Sequence, residues 1–304
     1  MSVLVELPEE QYIANAFEMF EPRSEFSLGN ARAMAWTSQL AYETRLPEKI
    51  ARIGDRFGLD AVSCFQQPAK TTLPISSTHG IVAIKGEATI IAFAGTDPLN
   101  LLNWVSDFYL GRPGEDAHQG FVDAAAAVWD QIGDIVDKSK ADGHVLFFTG
   151  HSLGAAIALV TADRARKERM LDHVKIYVFG SPRVFGANVA QELIDAFGAT
   201  TYRLVYGVDV VATIPPTALG FRHVGRLLQC ARGDKFDAAQ LLEPDDSDEP
   251  AFGAASLSQL PDKLQLLLGL SPSMRTDLLG QASQLLLPFI GDHLPDRYCT
   301  ALAP

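Results

Sequence analysis

The stretch His144 to Gly154, HVLFFTGHSLG, limits the folds open to this chain more than any other segment. Val145, Leu146, Phe147, Phe148 and Thr149 read as a buried strand. Gly150-His151-Ser152-Leu153-Gly154 follows, and then a helical run, AAIALVTADRARK. A strand, a G-x-S-x-G turn and a helix in succession make a nucleophile elbow. The residue types suit that chemistry. A serine hydroxyl is a weak nucleophile and must be held exposed beside a base. The sharp turn that exposes it leaves no room for flanking side chains, and glycine gives both space and dihedral freedom. Ala155 and Ala156 extend the same economy of volume, so the helix can sit close to the strand. The N–H groups at the start of that helix point to where negative charge would develop.

Around this core the pattern alternates. Val62 to Phe65, Ile81 to Lys85 and Thr89 to Ala94 read as strands, the last two joined by a hairpin at Gly86-Glu87-Ala88. Val174 to Phe179 and Tyr202 to Tyr206 are further apolar strands. Helices are expected from Ser27, with Ala33, Trp36 and Leu40 on one face, and over Ile50 to Gly58. One long helix is expected over FVDAAAAVWDQIGDIVD, with Phe121, Val128, Ile132 and Ile135 inward, and another over Asn188 to Phe197. Strands alternating with helices predict an α/β fold: a mostly parallel central sheet with helices on both faces. Sites on such sheets lie at the carboxyl ends of the strands, so Ser152 and Asp209 should share one edge. With no repeat and no low-complexity linker, residues 1–304 read as a single domain.

A serine nucleophile needs a histidine base and an acid to orient it. In α/β-hydrolase chains the order is serine, acid, histidine. Asp209 follows a strand end and fits the acid, or else a turn-capping aspartate. Of the seven histidines, His223 and His293 follow it. His293 sits in a loop-like context and His223 at what reads as the start of a strand. His151 is expected to point away from the serine as a structural donor. In FAGTDPLNLLNWVSDF, Leu101, Trp104, Val105 and Phe108 fall on one helical face. That segment is either a surface helix or a lid over the serine. Asp245, Asp246, Asp248 and Glu249 lack the spacing of a calcium loop and read as solvated. The leucine-rich run after it, about 250–290, reads as helices that complete the core or form a cap.

Net charge is −12 and pI about 5.0, which argues against nucleic acid and strongly anionic membranes as partners. The three cysteines show no metal-ligand spacing, so no metal and no cofactor is expected. No apolar run is long enough to span a membrane. MSVLVELPEEQY has no basic start and no apolar h-region, and with sparse cysteine this favours a cytoplasmic location over secretion.

Seven segments together carry a resemblance: NARAMAWTSQLAY (30–42), IIAFAGTDPLNLLNWVSDF (90–108), HQGF (118–121), GHSLGAA (150–156), YVFGSPRV (177–184), YGVDVVATIPP (206–216) and DHLPDRY (292–298). In this order they resemble the class 3 lipase family, the group of filamentous-fungal triacylglycerol lipases with an α/β-hydrolase fold. The resemblance implies Ser152 as nucleophile, Asp209 as acid and His293 as base, with His223 structural. It implies an oxyanion hole from Thr96 and Leu153, and a lid over about 97–110. The chain departs from the family in three places. Ala94 stands where many members have arginine, a few residues are added before Asn103-Trp104, and the segment before His293 is longer and lacks the fungal disulfide pattern. The implied activity is hydrolysis of a lipid ester, at a lipid–water interface, through an acyl-enzyme. A short-chain carboxylesterase or a phospholipase would use the same triad. A non-catalytic lipid-binding module would show a broken triad or elbow.

Overall fold

A computed structural model describes residues 5–73, 75–96, 117–171, 173–244 and 291–304. Its centre is a seven-stranded sheet in the order β1-β2-β3-β4-β5-β7-β9. The strands are β1 (Ala61–Pro68), β2 (Ser77–Lys85), β3 (Ala88–Phe93), β4 (Val145–His151), β5 (Val174–Phe179), β7 (Thr201–Tyr206) and β9 (Arg226–Cys230). A two-residue ladder, β6 (Phe185–Gly186) with β8 (Phe221–Arg222), lies apart from it. β1, β2 and β3 pair antiparallel, and β3 through β9 pair parallel. The mostly parallel sheet expected from the alternation is therefore present, with an antiparallel edge. The expected hairpin joins β2 to β3, and Gly86 supplies its positive φ of 54°.

The helices are α1 (Leu28–Leu40), α2 (Pro47–Phe57), α3 (Ala117–Ala127), α4 (Trp129–Ala141), α5 (Leu153–Arg169), α6 (Ala187–Phe197) and α7 (Pro295–Ala301). They divide between the two faces. On one, Phe148, Ile91 and Val178 pack with Ala155, Ala158, Ile132, Leu193 and Phe197, from α4, α5 and α6. On the other, Phe147, Ile90 and Tyr177 pack with Met34, Trp36, Ile53 and Cys299, from α1, α2 and α7. Adjacent residues Phe147 and Phe148 thus serve opposite cores, as strand alternation requires. With both faces covered, β3, β5 and β7 are near-continuous apolar runs.

α1 is the core helix expected, with Ala33, Trp36 and Leu40 buried, and its burial extends all round from Gly29 to Leu40. Tyr12, Ala16 and Phe17 cover it from outside, and its polar residues are bonded inside: Arg32 Nε donates to the Leu302 carbonyl, and the hydroxyls of Ser38 and Thr149 bond at 2.9 Å. The long helix after His118 is two helices. Val128 (φ −111°, ψ 1°) breaks it, and beyond the break Val136 is buried and Ile135 only partly so. His223 does not start a strand, because it lies between β8 and β9. The acidic loop at 245–249, the leucine-rich run at about 250–290 and the lid segment at 97–110 lie outside the described residues.

Candidate active site

β4 is central in the sheet, so its carboxyl end is flanked on both sides by parallel neighbours. Ser152 follows directly with φ 59° and ψ −129°, a conformation L-residues rarely hold. Its N–H donates to the Phe179 carbonyl at the end of β5, which anchors the turn. α5 starts at Leu153, and Ser152 is its N-cap by position only: the hydroxyl makes no capping bond. Ser152 Oγ is buried and has no hydrogen-bond partner among the described residues. The glycines make this turn possible. A Cβ on Gly150 would lie 2.4 Å from the Gly154 carbonyl, and one on Gly154 would lie 2.3 Å from the Phe93 oxygen. Either would force α5 away from β3 and β4.

Asp209 follows the turn after β7, completely buried. Its carboxylate accepts the Val211 N–H at 2.8 Å. It also accepts His293 Nδ1–H, at 2.9 Å to Oδ1 and 2.8 Å to Oδ2. A carboxylate only accepts, so Nδ1 carries the proton and Nε2 presents the lone pair in the neutral ring. Nε2 is buried and without a hydrogen-bond partner among the described residues. The structure therefore brings together Asp209 and His293, 84 residues apart in the chain, and leaves the base nitrogen unspent.

Three neighbours hold this pair, and the first was not legible as a site residue in the sequence. The Tyr298 hydroxyl donates to Asp209 Oδ2 at 2.5 Å, from the first turns of α7. Burial, then the Asp209 charge, push this phenol well above its ordinary range, so it stays a donor. Its signal was its place at the end of DHLPDRY. Gly180 (φ +54°) is the second neighbour. A Cβ there would lie 2.5 Å from Asp209 Oδ2 and 3.0 Å from His293 Nδ1. The third is His151, inside the elbow. Its Nε2–H donates to the His293 carbonyl at 2.6 Å, and its Nδ1 accepts the Tyr42 hydroxyl at 2.8 Å. Burial, then His293, depress its pKa well below the imidazole range, which fits a neutral ring with one donor and one acceptor. His151 is thus the structural donor expected. His223 is not bonded to Asp209; its Nε2 donates to the Ala212 carbonyl.

Thr96, nearly buried, lies three residues beyond the last paired position of β3, Phe93 opposite Gly150. Gly95 brings it close to the elbow, since a Cβ there would lie 2.2 Å from the Tyr42 hydroxyl and 2.7 Å from the His151 carbonyl. Leu153 is the first residue of α5, where N–H groups have no intrahelical acceptor. Leu101, Trp104, Val105 and Phe108 lie outside the described residues.

Comparison with known proteins agrees with this geometry. Residues 81–219 match the family model described as lipase (class 3). A secreted mono- and diacylglycerol lipase of Fusarium solani is 35% identical over 133 residues, 41% of this chain and 39% of that protein. A Rhizomucor miehei lipase is 32% identical over 50% of this chain and 44% of its own length. The chain therefore spans less than half the length of these two curated relatives. A solved triacylglycerol lipase, described as having a serine protease triad at its catalytic centre, aligns over 74% of this chain and 91% of its own with TM-score 0.55 at 24% identity. The Rhizomucor miehei triacylglyceride lipase structure aligns over 77% and 91% with TM-score 0.54 at 23%. These two show the fold, that of the fungal lipases.

The expected cytoplasmic location is overturned. Relatives from Fusarium, Penicillium and Malassezia are named secreted lipases, which points to secretion. The cytoplasmic inference rested on a short N-terminal segment and a low cysteine count. Neither bears on a fold held by two large apolar cores. The segment 81–219, which carries the elbow serine, its oxyanion candidates and the buried aspartate, is the part of the chain that is similar to the class 3 lipases.

Proposed function

We propose that this chain is a carboxylic ester hydrolase of the triacylglycerol lipase type, acting on lipid esters through an acyl-enzyme on Ser152. The observation that carries this reading is the buried Asp209–His293 pair, whose Nε2 is unspent, at the same sheet edge as an elbow serine whose hydroxyl is equally unspent. In the reaction His293 Nε2 takes the hydroxyl proton as Ser152 Oγ attacks the ester carbonyl. Asp209 stabilises the imidazolium through Nδ1–H. The N–H groups of Thr96 and Leu153 receive the oxyanion, and each such donor contributes about 3 kcal/mol of transition-state stabilisation. His293 then protonates the leaving alcohol, and water releases the acid by the reverse sequence. The segment 97–110, with Leu101, Trp104, Val105 and Phe108, is the proposed cover of the serine, and the acidic surface favours neutral lipid over nucleic acid.

Ser152→Ala is expected to abolish nitrophenyl ester turnover while leaving the circular dichroism spectrum intact. Retained turnover by the folded variant rules the assignment out. Lipase, short-chain esterase and phospholipase differ in pocket shape alone. Rates on emulsified long-chain triglyceride against dissolved short-chain ester separate them, and the lipase reading requires a rise in activity above substrate solubility. A fluorophosphonate that fails to label Ser152 would favour a lipid-binding module instead.

A further inference from the structure

One charged pair beside the site takes no part in the proposed chemistry. Asp292, the residue before His293, is almost fully buried. Arg232 grips it as a fork: Nε lies 2.8 Å from Oδ1 and 3.1 Å from Oδ2, and Nη2 lies 2.7 Å from Oδ2. The same Oδ2 accepts the N–H of Val208, the residue before Asp209, at 2.8 Å. Gly207 (φ +56°) lies so close that a Cβ there would be 2.1 Å from Oδ2. Its N–H donates to the Cys230 carbonyl at the end of β9. Arg232 is itself held to β7, because the next N–H, that of Gly233, donates to the Tyr206 hydroxyl. Each residue of the acid–base pair is thus preceded by a residue of a second pair, and both pairs join the same two segments.

We propose that Asp292, clamped by Arg232, is a positioning residue that fixes the His293 loop against the Asp209 turn. The clamp needs charge as well as shape. A buried carboxylate accepting one N–H keeps an uncompensated charge unless a cation meets it, and the guanidinium fork meets both oxygens. Asn in its place would still accept from Val208 but would turn an amide N–H₂ or a neutral oxygen toward Arg232. Among the described residues, the loop would then be held through the Asp209–His293 bond, Tyr298 and His151, and the imidazole would lose its fixed attitude. A displacement of a fraction of an ångström is expected to cost about tenfold in the chemical step.

This inference rests on the serine hydrolase reading, and the experiment separates the two. The fluorophosphonate labelling rate of Ser152, kcat and KM on a dissolved ester are measured for the whole chain and its variants. Asp292→Asn is expected to lower kcat and the labelling rate together by about tenfold, with KM within about twofold. Arg232→Met should match it, Arg232→Lys should recover part of the loss, and the double variant should be no worse than either single one. Rates are normalised to folded protein by circular dichroism and melting temperature, which a purely structural pair would change without this split. If Asp292→Asn does not fold, the half-exposed Arg232 series decides alone. Folded variants that label at the wild-type rate overturn the proposal. A wild type that does not label overturns the hydrolase reading instead.

Discussion

Gly180 sits where the acid and base meet, and no other residue type fits there. Its φ is +54°, and a Cβ would approach Asp209 Oδ2 to 2.5 Å and the Tyr298 hydroxyl to 3.0 Å. Gly180→Ala is therefore expected to push the imidazole aside and lower kcat about a hundredfold in a folded protein. Steady-state kinetics on a dissolved ester check this, and wild-type kcat would refute it. The buried histidines give a second outcome. His151 and His223 are held well below the ordinary imidazole range by burial first, then by His293 in one case and by Arg203 and Arg183 in the other. Unfolded, both titrate near pH 6.5. Below that pH the unfolded chain binds protons that the folded chain refuses, so stability falls as pH drops and is flat above about pH 7.5. Each contributes up to about 1.4 kcal/mol per pH unit in that window. The urea midpoint measured from pH 8 to 5 should show the fall, and His151→Gln should remove one proton's share of it. A midpoint constant from pH 7.5 to 5 contradicts this.

At the scale of elements, the elbow was legible because three signals coincide in one stretch: an apolar strand, two obligatory glycines and a small-residue helix start. β3, β5 and β7 were legible because both their faces are covered, so their composition alone marks them. β9 (RLLQC) and α7 were not, being too short for periodicity to register. The break at Val128 was hidden because the helical spacing of the buried residues continues across it. Asp209 and His293 could be placed by order and resemblance. Tyr298, Gly180 and Asp292 could not, because their roles come from contacts across the fold. The elbow makes its own prediction at this scale. α5 rests on β3 at Gly154, with Phe93 and Ala94 backbone atoms within 3 Å of a Cβ there. Gly154→Ala should move α5 outward, destabilise the fold by about 1–3 kcal/mol and dislodge the Leu153 N–H from the oxyanion position. Denaturant midpoint and kcat should fall together, and a change in neither would refute the close-packing argument.

For the molecule as a whole, three free thiols in a chain similar to secreted lipases need a physical account. Extracellular proteins commonly carry disulfides, yet Cys64, Cys230 and Cys299 are all unpaired. Disulfides matter most where a core is small, whereas a chain near 300 residues buries about 75% of the surface its unfolded state exposes. The two cores flanking the sheet run from α2 and β2 at one side to α6, β9 and α7 at the other. They join segments far apart in sequence without a cross-link. The thiols differ in exposure as this arrangement dictates. Cys64 is exposed on the edge strand β1. Cys230 is buried, and burial followed by Asp234 raises it to about 11; Cys299, on α7, is buried and held well above the ordinary thiol range by burial and then Asp296. A thiol-reactive dye at pH 8 should titrate one equivalent in the native protein and three in denaturant, the native one reacting slowly because partial burial also raises Cys64. Dithiothreitol should leave the melting temperature unchanged. Fewer than three equivalents in denaturant, or a reductant-sensitive melting temperature, would show that a cross-link does part of the work assigned here to the cores.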